Sequence, residues 1–242
     1  MSDPVRIALV AEGPTDKIVI EAAIRGILGD TPFIIQQLQP EQSQVFLDPA
    51  IGTGWGGVYR WCRKAVERAS GLIEQDILFA TYRMLILHLD AEVAAESYGN
   101  AGIIDSENDL PFAEPCPPAS ATTDQLRLIL LRWIGRATLP ARTVLCTPSK
   151  NTEAWVLCAL YPKDGIVTAG GVECFGSPEN RLNAKPQDGK VIRSGKKHSE
   201  AYKKRAHEIS GAWNRLRNLC SEAERFSRDF ESFIQAENAG QV

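Results

Sequence analysis

What the 242-residue sequence lacks narrows its chemistry first. It has three histidines and no Gly-x-Ser-x-Gly turn, so a Ser/His/Asp hydrolase built on that elbow is excluded. No glycine fingerprint of a dinucleotide fold follows the first apolar run. The Gly-rich stretch Gly52 to Gly57 lacks the Gly-Lys-Ser/Thr ending of a Walker A loop. No apolar run approaches the roughly 20 residues of a membrane span, and Met1-Ser2-Asp3-Pro4 opens no signal peptide, so neither is expected. The six cysteines show no CxxC or Cys/His spacing, which argues against a zinc site and against a disulfide framework. The expectation is free thiols in a reducing compartment and a cytoplasmic protein. Net charge is only −3, so no global field selects nucleic acid or membrane and any steering is local. Lysine and arginine are missing from 84 to 126, where Glu92, Glu96, Asp105, Glu107, Asp109, Glu114 and Asp124 make the chain acidic.

What is present is an ordinary globular core, with 44% hydrophobic residues. Apolar runs alternate with helical patterns. Val5 to Ala11 predicts a strand, and about Thr15 to Leu28 a helix capped by Gly13 or Thr15. Phe33 to Leu38 predicts a strand, Pro40 to Thr53 a loop, and Val58 to Ile73 a helix. Arg83 to Asp90 predicts the central strand, followed by a long irregular stretch from Ala94 to Thr123. A helix over Gln125 to Arg136, capped by Thr122-Thr123-Asp124, a strand over Leu139 to Cys146 and a helix over Asn151 to Leu160 complete the pattern. Such alternation predicts an α/β fold with a parallel sheet of about four strands flanked by helices. Residues 1–160 are read as that domain. Residues 161–242 are read as an extension packed on it, a basic loop followed by a long helix from Ser199 to Glu237 with a possible break at Ser210-Gly211.

The chemistry gathers at strand ends. Leu85 to Leu89 is an apolar run closing on Asp90-Ala91-Glu92, and Val5 to Ala11 closes on Glu12-Gly13-Pro14-Thr15-Asp16. The carboxyl ends of parallel strands are where open α/β sheets bind ligands. If extended geometry persists through Ala91, Asp90 and Glu92 project to one side. If the two strands are neighbours, Glu12 joins them and three carboxylates can hold a hard divalent cation, Mg²⁺ or Mn²⁺. The bland alternative for Glu12 and Asp16 is to favour the positive end of the following helix. His88 points to the side of Asp90, open to packing, hydrogen bonding or catalysis.

These motifs, in order, resemble the Toprim fold, and in particular Toprim-like proteins related to the nuclease domains of the OLD family. The resemblance rests on Ala11 to Asp16, His88 to Glu92 and Pro148 to Leu157, and spans about residues 5 to 160. It implies that Glu12 moves a proton in phosphoryl chemistry while Asp90 and Glu92 bind magnesium, with Glu12 able to bridge to the metal. It also implies an ATPase partner protein in a bacterial phage-defence setting. The sequence departs from Asp-x-Asp at Glu92, which is longer by one methylene. Glu153, in the first turn of the Glu-Ala-Trp helix, is a candidate third catalytic acid or a dipole-stabilising one, and Trp155 is read as core.

Between Lys185 and Arg205, the cations Lys185, Lys190, Arg193, Lys196, Lys197, Lys203, Lys204 and Arg205 stand against Asp188 and Glu200. With Lys150 they form a candidate nucleic-acid contact, or else a solvated flexible surface. The expected function is a metal-dependent phosphodiester-processing enzyme, a nuclease on DNA or RNA. The alternatives are a non-catalytic Toprim-like binding or regulatory module and a small-nucleotide phosphohydrolase.

Overall fold

The computed structural model describes residues 3–40, 52–104, 109–186 and 189–240. Most of the expected loop from Pro40 to Thr53 lies outside them, as do Asp105, Glu107 and Asp188. Four strands form one all-parallel sheet: β1 (Val5–Val10), β2 (Phe33–Gln39), β3 (Met84–His88) and β4 (Thr143–Cys146), in the order β2-β1-β3-β4. This is the α/β architecture expected, a four-stranded parallel sheet flanked by helices.

Strand chemistry follows position in the sheet. The central strands β1 and β3 are apolar on both faces because both faces are covered. The edge strand β2 alternates instead, with Phe33 and Ile35 buried and Ile34 exposed. Ile7, Leu9, Met84 and Ile86 face a cluster built with α1 (Pro14–Leu28) and α4 (Thr152–Leu160). Ala8, Val10, Leu85 and Leu87 face the opposite cluster, built with α2 (Gly54–Arg68) and α3 (Ser120–Trp133). The chain leaves β1 toward β2 and then crosses to the other side of β1 to form β3. The switch point therefore falls between the ends of β1 and β3, where a crevice opens in such sheets.

Two short helices, α5 (Gly165–Thr168) and α6 (Pro178–Asn183), and a small antiparallel hairpin of β5 (Ile192–Arg193) and β6 (Lys196–Lys197) lead into α7 (Ser199–Arg217) and α8 (Ser221–Asn238). The C-terminal region shares the α1/α4 core. Trp155 meets Trp213 edge to face at 5.5 Å, and Phe226 stacks beyond it at 6.4 Å. Trp155 is thus core, as read from the sequence. Arg215 closes α4 by donating to the carbonyls of Cys158 and Ala159 at 3.2 Å.

Several boundaries differ from expectation. The long C-terminal helix is two helices, and the break lies at Asn218–Cys220 and not at Ser210-Gly211. The reason is packing: α7 runs unbroken past Gly211 because it lies against α1, and the turn after Arg217 lets α8 bring Phe226 back onto Trp155 with Phe230 against Phe226. Thr122-Thr123-Asp124 lie inside α3, which starts just after Pro117-Pro118. The expected free thiols are also corrected. Cys116 and Cys174 form a disulfide across 58 residues, tying the segment before α3 to the turn at Val172–Cys174, while Cys62, Cys146, Cys158 and Cys220 are free and buried. Local spacing gives no sign of a pair that only the tertiary fold brings together.

The contact of α1 with α7 depends on Gly26. A Cβ there would stand 2.5 Å from Trp213 Cβ and 2.8 Å from the Ser210 carbonyl oxygen, too close for either helix to keep its place. Gly26→Ala is expected to cost about 1–3 kcal/mol of stability despite alanine's better helix propensity. Urea denaturation measures it, and an unchanged or raised midpoint would refute the close-approach argument.

Candidate active site

At the switch point the two strand ends meet. The Asp90 backbone N–H donates to Glu12 Oε1 at 2.8 Å, linking residues 78 apart in sequence. His88, the last residue of β3, is fully buried and places Nε2 3.1 Å from Asp90 Oδ1. The pair is out of line for a hydrogen bond, so both ring nitrogens and Asp90 Oδ1 are buried without a hydrogen-bond partner among the described residues. Ligand atoms of Glu12, His88 and Asp90 lie within 4.8 Å of one another. Oxygen ligands at roughly 2.0–2.6 Å from a divalent ion can stand up to about 4–5 Å apart across it, so this spacing fits one cation. The imidazole makes the donor set mixed, which suits Mn²⁺ better than the all-oxygen set expected for Mg²⁺.

Glu92 is not in that group. Extended geometry does not persist through Ala91, because Ala91–Ala95 winds into a 3₁₀ turn. The Glu92 N–H donates to the Lys150 carbonyl at 3.1 Å, and Glu92 Oε1 accepts from Asn151 Nδ2 at 3.0 Å. Asn151 Nδ2 also donates to Glu179 Oε1, setting a second acidic pair beside the first. Burial, then the charges of Glu179 and Asp90, raise the Glu92 carboxyl above its ordinary range.

Glu153 lies wholly buried at the opening of α4. Its Oε1 accepts from the Tyr202 hydroxyl at 2.8 Å, and its Oε2 pairs with Lys197 Nζ at 2.7 Å. Asp16 is equally buried, accepting from Thr152 Oγ1 at 2.7 Å and from the Gly13 N–H at 2.9 Å. The Gly-rich stretch meets the site through its backbone, as the Gly54 N–H donates to the Glu12 carbonyl at 3.0 Å.

Crowded carboxylates raise one another. Burial, with Asp90 behind it, pushes Glu12 up to about 8, and burial also raises Asp90 against the pull of His88. For His88, burial opposes the charged ring, but Asp90, Asp16 and Glu12 outweigh it and lift the imidazole to about 9. Burial raises Glu153 to about 7 against the attraction of Lys197. Lys197 itself is held above its ordinary range, its partial burial being outweighed by Glu153, Asp16 and Asp90.

The basic set divides. Lys197, expected on a nucleic-acid surface, turns its ammonium into the acid centre. Lys185 pairs with Asp164 and lies over the Tyr161 ring, Arg205 pairs with Glu208, and Lys203 pairs with exposed Glu200 at 2.7 Å. Arg193 Nε donates to the Lys190 carbonyl at 3.4 Å. Among the described residues, Lys150, Lys190, Lys196 and Lys204 have no ion pair. Lys185 is therefore a structural cation holding Asp164, where burial is overcome by Lys185 and Arg181 and the carboxyl falls to about 2.

Compared with family models, curated proteins and solved structures, the chain matches none. Among the described residues no helix is long and apolar enough to cross a membrane.

Sequence reasoning missed Glu179 and Tyr202 and placed Lys197 elsewhere. All three arrive from the C-terminal region, where no strand-end or helix-cap pattern marks a residue as facing a site more than forty residues upstream. His88 was visible by alternation, since β3 puts residues 84, 86 and 88 on one face.

Proposed function

We propose that the chain is a Toprim-like, divalent-metal-dependent phosphodiester-processing enzyme, a nuclease acting on DNA or RNA. The observation that carries this is the meeting of Glu12 with His88 and Asp90 at the carboxyl ends of neighbouring parallel strands, with His88 Nδ1 buried without a hydrogen-bond partner among the described residues. Glu12, His88 and Asp90 fit as holders of Mn²⁺ or Mg²⁺, with Glu92 and Glu179 beside them. A divalent ion bound there supplies charge neutralisation at a phosphate and an acidified water.

The chain's own groups have separable tasks. Glu12, fixed through Oε1 by the Asp90 N–H, is placed to hold or move a proton at the attacking or leaving oxygen. Lys197, tethered by Glu153, presents an ammonium that can meet a phosphate oxygen. The resemblance to OLD-related proteins further suggests an ATPase partner and a role in phage defence.

The test is incubation of labelled single-stranded DNA and RNA with Mg²⁺ or Mn²⁺. Metal-dependent shortening is expected, and intact polymer with both ions would overturn the proposal. A second reading, a binding or regulatory module on the same scaffold, is favoured by the internal partners that Asp16 and Glu153 already have. Calorimetric titration with MnCl₂ separates the two, because the enzyme requires binding and the module does not.

A further inference from the structure

A cavity of about 1090 Å³ forms a groove between α1 and α7. One end is lined by residues that follow the acid centre closely in sequence. Pro14, the first residue of α1, is two residues from Glu12, and Ser199, the first of α7, is two residues from Lys197. From there α1 contributes Lys17, Glu21 and Arg25 at helical spacing, and α7 contributes Lys203 and His207.

Lys17 has no ion pair among the described residues. Arg25 stacks its guanidinium over Phe33 at 4.3 Å, which fixes the group without neutralising it. Lys203 is paired only with exposed Glu200, a contact worth little and readily exchanged for phosphate. Glu21 is the one acid along the walls.

We propose that this groove is a track for one polynucleotide strand, its phosphates held by Lys17, Arg25 and Lys203 as it leads into the acid centre. The inference rests on the reading of that centre as a phosphodiester site. The span from Pro14 to Arg25 is about 16 Å at 1.5 Å per residue, enough to run alongside a short stretch of one strand's phosphates. No Phe, Tyr or Trp lines the groove, and contacts to the backbone carry no sequence, so sequence preference is expected to be weak. An acidic peptide would leave its side chains without matching pockets.

The test is fluorescence anisotropy of a short labelled oligothymidylate with the full chain in EDTA, across a salt series. The Lys17→Glu/Lys203→Glu double variant is expected to weaken binding at least about tenfold and to flatten the log–log salt slope by about 1.4, two contacts at 0.7 each. Lys163→Glu, half that charge change in the exposed turn after α4, is expected to change affinity less than about twofold. Glu21→Gln is expected to tighten binding, a gain that misfolding cannot mimic. The proposal is overturned if the double variant binds like the parent, if Lys163→Glu costs as much, if polyglutamate competes as well as unlabelled strand, or if no strand binds.

Hydrolysis of bis(p-nitrophenyl) phosphate with Mn²⁺ by the unmodified chain tests the centre separately, because that ester is too short to need the groove. No turnover with charge-dependent strand binding intact would remove the phosphodiesterase reading and leave the groove. Turnover with strand binding indifferent to Lys17 and Lys203 would do the reverse.

Discussion

Glu12→Gln is expected to lower metal-dependent strand cleavage by about 10³-fold with little change in KM, the loss typical of removing a positioned proton carrier. Glutamine preserves volume and can still accept from the Asp90 N–H, so strand-end geometry should persist. The variant also removes an acid that burial and Asp90 push up to about 8. Its thermal midpoint should therefore equal or exceed the parent's, which separates lost chemistry from lost structure. Titration with MnCl₂ extends the test to the ligand set. Asp90→Asn and His88→Gln should each weaken binding at least tenfold if the Glu12, His88 and Asp90 group holds the ion, whereas Glu92→Gln should cost less. Equal losses for Glu92→Gln and Asp90→Asn, with His88→Gln silent, would restore the all-carboxylate set implied by the Toprim resemblance.

That contrast shows where the sequence was legible. The apolar runs ending at Val10 and His88 identify the central strands because burial on both faces demands unbroken hydrophobicity. Acids just beyond them mark the site, and the strand pairing brings Glu12 to Asp90. The place of Glu92 was not legible, because it depends on whether the backbone stays extended for one more residue. A 3₁₀ turn at Ala91 sends it toward Asn151 and Glu179. The C-terminal third was less legible still. Its charges suggest a uniform basic surface, yet folding spends Lys185 on Asp164, Arg205 on Glu208 and Lys197 on Glu153. Which cation becomes structural depends on tertiary neighbours that composition does not encode. The same limit hid the pairing of Cys116 with Cys174.

Lys197→Met should be among the most destabilising single changes at this site, and more so at alkaline pH. Glu153 is fully buried and is held by Lys197 and the Tyr202 hydroxyl. Removing one member of a fully buried pair costs about 3–5 kcal/mol. Here the lysine side chain is 33% exposed, so solvent screening reduces the figure to about 2–3 kcal/mol. Burial already raises Glu153 to about 7 with the lysine present, and without it the carboxyl must rise further. A carboxyl raised above its unfolded value of 4.5 favours the folded state while protonated and loses that contribution as pH climbs from 4.5 through the folded value. Urea denaturation should therefore find the variant close to the parent at acid pH and clearly weaker above neutrality. Adding Glu153→Gln should recover most of the loss at alkaline pH, since a neutral amide needs no counter-charge and can still accept from Tyr202. A single variant as stable as its parent at high pH, or a double variant no better than the single, would mean that the ion pair does not hold the β5–β6 hairpin over the acids. It would also leave Lys197 free to act on a bound phosphate without first leaving a structural post.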